Sequence, residues 1–146
     1  MTHDRETLAR AVAERMFADD RASRALGMTI ADVRPGYAEL TMTVRSDMVN
    51  GHAICHGGFV FTLADSAFAF ACNSHNFSTV AQGCAIEFLA PSYEGDVLTA
   101  RATERSVAGR TGVYDIDVTN QRGEKIALFR GKSYRIKGHV IEPPPA

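Results

Sequence analysis

The most constraining feature of this chain is the run from Phe59 to Cys72, Phe-Val-Phe-Thr-Leu-Ala-Asp-Ser-Ala-Phe-Ala-Phe-Ala-Cys. It is apolar nearly all round, rich in alanine, and opens directly after Gly57-Gly58. Such a run is too long for a buried strand, so it predicts a helix covered on most of its sides. Asn73-Ser74 supplies the stop. Whatever else the chain does, it must provide that cover.

The flanking segments are suited to the task. Tyr37 to Val44 alternates, with Tyr37, Glu39, Thr41 and Thr43 on one side and Ala38, Leu40, Met42 and Val44 on the other. Period-two alternation predicts a half-buried strand, and the preceding Arg34-Pro35-Gly36 predicts a hairpin. Further strands are predicted at Val80 to Leu89, Val97 to Val107, Val113 to Thr119 and Lys125 to Ile136, separated by turns such as Glu94-Gly95-Asp96 and Gln121-Arg122-Gly123. An N-terminal helical region within residues 1–23 centres on Thr7 to Asp19, where Leu8, Ala11, Val12, Arg15 and Met16 recur at helical spacing. Residues 139–146, ending in three prolines and an alanine, are expected to be a flexible tail. The fold class is α+β in one domain spanning 1–146, with an antiparallel sheet wrapped around a long central helix.

Charge narrows the function. Seventeen acidic residues nearly balance sixteen basic ones, so the molecule as a whole has no electrostatic pull towards nucleic acid or an anionic membrane. No stretch approaches the ~18 apolar residues of a membrane span, and no apolar signal core follows Met-Thr-His-Asp-Arg-Glu. Cys55, Cys72 and Cys84 form an odd set without Cys-x-x-Cys spacing. The expected location is the reducing cytoplasm.

Two features carry chemistry. Asp65 places a carboxylate inside the most apolar segment, where an unpaired charge is costly; it is either a reactive group or a structural acid bonded to a neighbour. Asn50-Gly51 followed by His56-Gly57-Gly58 stands at the start of the helix, where backbone N–H groups lack partners. Glycine there admits a carbonyl oxygen, as an oxyanion hole requires, or else serves a tight loop. Gly57 and Asp65 are eight positions apart, about 12 Å along one helix axis. One acyl carbon cannot lie within ~3 Å of both. If both act on one substrate they come from two chains, and two antiparallel copies of the helix about a two-fold axis meet that condition.

Other candidates have plainer readings beside the chemical one. His52 and His56 share a metal-ligand spacing, but glycines place them in a loop without a third ligand, and no metal is assigned. Cys55 beside His56 does not make a nucleophile–base pair by adjacency alone. Phe59, Phe61, Phe68 and Phe70 are packing residues first. Arg110-Thr111-Gly112 is a hairpin tip that could also present a cation and N–H groups to phosphate.

Taken together, Asn50-Gly51-His52, His56-Gly57-Gly58 and Leu63-Ala64-Asp65 at their spacing resemble the hotdog-fold acyl-CoA thioesterases, most closely the phenylacetate-degradation branch. The likeness continues through Glu87-Phe88-Leu89-x-Pro91, Arg110-Thr111-Gly112-Val113-Tyr114-Asp115 and Ala127 to Ser133. It implies hydrolysis of phenylacetyl-CoA and its ring-hydroxylated derivatives, with coenzyme A a part of the substrate and no separate cofactor. It implies that Asp65 is base or nucleophile, that the Gly57 N–H meets the thioester carbonyl, and that Asn50 and His56 orient water or that carbonyl. It further implies that Gly58, Phe88 and Arg110, Thr111, Gly112 and Val113 hold the substrate or its CoA portion, and that the protein is a dimer of dimers. Two alternatives share the fold: an acyl-CoA hydratase or dehydratase, and a non-catalytic acyl-CoA-binding module.

Overall fold

The computed structural model describes residues 2–143. Two helices, α1 (Thr2–Asp19) and α2 (Arg21–Ala25), precede the hairpin β1 (Thr29–Arg34) and β2 (Tyr37–Thr43). After a 3-10 turn at Ser46–Met48 comes the long helix α3 (Gly57–Cys72). Four strands follow: β3 (Phe77–Phe88), β4 (Val97–Ala108), β5 (Thr111–Thr119) and β6 (Lys125–His139). They form one antiparallel sheet in the order β1-β2-β4-β5-β6-β3. The chain therefore passes from β2 through α3 to the opposite edge of the sheet.

The alternation in the sequence translates directly into facing. Ala38, Leu40, Met42 and Val44 are buried, as are Tyr114, Ile116 and Val118. They meet Val60, Leu63, Ala64, Ala67, Phe68 and Ala71 from α3 in one apolar cluster. Phe68 packs on Tyr114 and Phe129 with ring centroids 5.6 and 6.1 Å away. Its ring also lies over Gly131, where a β-carbon would come within 2.7 Å. Each such aromatic burial contributes about 1.5–3 kcal/mol.

The N-terminal helix differs in two respects from the periodicity reading. Its buried residues are Ala9, Val12 and Ala13, while Arg15 is exposed and paired with Asp19. The small alanines let the helix sit close, which turns the buried stripe by about one position. The helical region also breaks at Asp20, whose carboxylate accepts the Ser23 N–H at 2.9 Å and so caps the short α2.

The tail differs as well. His139 completes β6, and the Asn76 side chain both accepts from the Ile141 N–H (2.9 Å) and donates to the Ile141 carbonyl (3.1 Å). Residues 139–141 are thus tied down rather than flexible, because Asn76 presents a peptide-like edge to them. Residues 144–146 lie outside the described residues.

Candidate active site

The start of α3 is built by His56. Its backbone is extended, and its ring Nδ1 accepts the Gly58 N–H at 2.9 Å, which caps the helix. The Phe59 N–H returns to the His56 carbonyl at 3.0 Å. Among the first helical donors, the Gly57 N–H is left without a partner among the described residues. A free N–H at the positive end of a sixteen-residue helix is a strong place to meet developing negative charge.

Asn50 lies beside it. Its Oδ1 accepts the N–H groups of His52 (2.9 Å) and Ile54 (3.4 Å), closing the turn that leads to His56. With the oxygen so engaged, the side-chain NH₂ remains as a donor. Asn50, Gly57 and Phe88 line a common cleft of ≈ 500 Å³ with Ile54, Val60 and Ile126. Two carbonyl-seeking donors therefore share the mouth of an otherwise largely apolar cleft.

Asp65 lies farther along α3, half-buried, with no hydrogen bond or ion pair among the described residues. Burial raises its pKa, since withdrawal from water disfavours the charged form. Its charge is felt by two thiols. Cys72 is pushed up to about 12, mainly by burial and secondarily by Asp65, and Cys84 is raised by burial and then by Asp65. The carboxylate thus stands on the side of α3 that looks towards β3, the edge strand. An unpaired carboxylate with a raised pKa is the profile of a reactive base rather than a structural acid.

The sequence-predicted residues fall into separate places within one chain. Asn50, Gly57 and Phe88 come together; His56 and Gly58 are beside them but engage each other. Asp65 does not line that cleft. Arg110, Thr111 and Gly112 form the β4–β5 hairpin beside Cys72, His75, Tyr114 and Ser133, near the C-terminal end of α3. There the Arg110 Nη1 donates to the Arg135 carbonyl at 3.2 Å, and a β-carbon on Gly112 would meet Ser133 Oγ at 2.7 Å. Val113 pairs with Lys132 on the face of the sheet away from the helix.

Two contributors were not visible in the sequence reading. Ile126 enters the cleft from β6 and Ser92 from the loop after β3, whose carbonyl accepts the Cys55 N–H at 2.8 Å. Nothing in the local pattern marks either, because strand order brings them there. A separate cleft of ≈ 450 Å³ opens on the outer sheet face around Arg101, Arg105, Asp115 and Arg130. Its charges largely satisfy one another, Asp115 pairing with Arg130 (2.7 Å) and Arg105 (3.0 Å), and it holds none of the site residues.

The chain can be set beside known proteins on this geometry. A model of the thioesterase superfamily matches residues 52–127, a span that includes Gly57 and Asp65. The acyl-coenzyme A thioesterase PaaI of Escherichia coli is 50% identical over 88% of this chain and 91% of its own. The structure of the E. coli PaaI protein from the phenylacetic acid degradation operon superposes with a TM-score of 0.91, covering 92% of this chain and 97% of that one at 48% identity. A hypothetical thioesterase from Streptococcus pneumoniae, solved with coenzyme A, superposes with a TM-score of 0.74 at 26% identity, covering 77% of this chain and 90% of that one.

Proposed function

The chain belongs to the thioesterase superfamily, and from that membership we infer that it is a hotdog-fold acyl-coenzyme A thioesterase. Its substrates are aromatic acyl-CoA thioesters, phenylacetyl-CoA and ring-hydroxylated derivatives, and its products are the free acid and coenzyme A. The observation that carries this reading is the unpartnered Gly57 N–H beside the Asn50 amide, on the same helix as an unpaired carboxylate at Asp65. That combination suits a reaction that builds charge on an acyl oxygen while water is deprotonated nearby.

We assign the reaction centre to two protomers. Within one chain Gly57 and Asp65 are too far apart to share an acyl carbon. The edge strand β3 leaves a whole side unpaired, with Phe77, Val80 and Phe88 exposed at 38%, 46% and 55%. A two-fold axis beside β3 would pair it with its copy and run two α3 helices antiparallel. Gly57 of one protomer then faces the partner's Asp65.

In that centre the thioester oxygen accepts from the Gly57 N–H and the Asn50 amide. Asp65 either takes a proton from the attacking water or attacks the carbonyl carbon itself, forming an anhydride that water opens. In both routes the carbon–sulfur bond breaks, the thiolate takes up a proton, and the acyl group leaves as the acid. All steps use these groups alone, with coenzyme A as part of the substrate. The hairpin Arg110 to Val113 lies on the Asp65 side and holds the CoA portion along the interface, with Phe88 at the mouth. His56 acts through the helix start it caps. A dimer of dimers in the cytoplasm completes the proposal; among the described residues no helix is long and apolar enough to cross a membrane.

Thiol release from a panel of acyl-CoA thioesters tests the reading. Phenylacetyl-CoA and its hydroxylated forms are expected to release thiol, and crotonyl-CoA to undergo no hydration. Binding without release, or hydration in place of release, would overturn it.

A further inference from the structure

The cleft at the start of α3 has a polar group at its wall that the mechanism does not use. Ser92 is 2% exposed, and its Oγ is the only buried side-chain polar atom without a hydrogen-bond partner among the described residues. Its nearest group is the Cys55 thiol, which burial keeps protonated. That thiol turns to the His56 carbonyl at 3.6 Å, leaving the hydroxyl with no bond of proper geometry. The Ser92 backbone is meanwhile fixed, since its carbonyl accepts the Cys55 N–H at 2.8 Å. A buried hydroxyl held in place and left unbonded is disfavoured unless something else completes it.

The surrounding walls indicate what does. Ile54, Val60, Phe88, Leu89 and Ile126 line the same ≈ 500 Å³ space, with the donors of Asn50 and Gly57 at its mouth. We propose that this cleft receives the acyl group of the substrate and that the Ser92 hydroxyl hydrogen-bonds a hydroxyl substituent on its ring. The inference rests on the assignment of Asn50 and Gly57 as carbonyl donors. With the carbonyl held there, the ring extends between the apolar walls, and its polar substituent meets the one unsatisfied group among them. Selectivity for ring hydroxylation then resides in the protomer that supplies Gly57, not in the one that supplies Asp65. A site with a buried hydrogen-bonding group discriminates against a ligand that leaves it unpaired.

The test compares Ser92→Ala with wild type on phenylacetyl-CoA, its 2-, 3- and 4-hydroxy derivatives and acetyl-CoA. The ratio of kcat/KM for the preferred hydroxylated substrate to that for phenylacetyl-CoA is expected to fall about tenfold. The melting temperature should hold or rise, since the substitution removes an unsatisfied group. An unchanged ratio, or an equal slowing on all substrates including acetyl-CoA, would overturn the proposal. Absence of thiol release by wild type on every substrate would instead refute the thioesterase reading. In that case calorimetric affinity for the hydroxyphenylacetyl-CoA esters, compared between the two proteins, still decides whether Ser92 reads the hydroxyl.

Discussion

The ring of Phe88 occupies the space where a side chain on Gly57 would begin: a β-carbon built there lies 2.9 Å from Phe88 Cζ. An edge-strand residue thus presses on the first residue of the central helix, and glycine is what permits the contact. The same closeness keeps the Gly57 N–H at the cleft rather than turned away from it.

Gly57→Ala is therefore expected to lower kcat by about tenfold or more, comparable to disturbing an oxyanion donor. Alanine is the better helix former by about 1 kcal/mol, so the loss should occur without a fall in melting temperature. Adding Phe88→Leu to the alanine variant should recover part of the rate. Full activity in Gly57→Ala would show that the contact does not set the donor.

The carboxylate separates stability from turnover. Burial raises the Asp65 pKa in the folded state, so the folded protein binds its proton more tightly than the unfolded chain does. Stability attributable to this group falls as pH rises from the unfolded value to the raised folded one, and the penalty is complete above it. Asp65→Asn should accordingly melt higher than wild type at neutral pH, with the advantage vanishing below the ordinary carboxylate range. Its turnover should drop ~10²-fold or more. In wild type the acid limb of kcat/KM should lie above the ordinary carboxylate range. A melting advantage that is independent of pH would contradict the assignment.

Complementation reads the two-chain centre directly. Gly57→Pro removes the donor where proline is tolerated, at the first helical position after an extended His56. Co-expressed with Asp65→Asn, each nearly inactive alone, it should form hybrid dimers with one intact centre each. Random pairing then restores about a quarter of wild-type activity. No recovery, in hybrids verified by mass, would place the whole centre inside one chain.

Asn50 has two ends with separate duties. Asn50→Asp keeps the oxygen that accepts from His52 and Ile54 but loses the donor, so the fold should persist while kcat/KM falls about tenfold or more. Asn50→Ala should lose the turn as well and lower the melting temperature. Equal behaviour of the two variants would argue that only the turn matters.

Much of this architecture could be read along the chain, because facing is a local property. The alternations at Tyr37 to Val44 and Val113 to Thr119 and the apolar run before Cys72 each specify their own burial. Glycine and aspartate at the start and middle of that run were equally legible. Strand order was not: β3 reaches the far edge by pairing with β6, and no local pattern encodes that neighbour. The cleft inherits the difficulty, since Ile126 and Ser92 reach it through that pairing and the loop after it. The use of the His56 ring as a cap escaped the reading because histidine is not a usual capping residue. The break at Asp20 had a signal in Asp20-x-x-Ser23, which the longer helical periodicity overrode.

The twelve residues of β3 give the newly made chain a deadline. A folded monomer offers a row of unmet amides and carbonyls flanked by Phe77 and Phe88, which any extended polypeptide can template upon. Self-recognition must outrun that promiscuity, so dilution and crowding with unfolded clients endanger the protein more than heat does. Coenzyme A chemistry and protection from aggregation would then depend on the same seam.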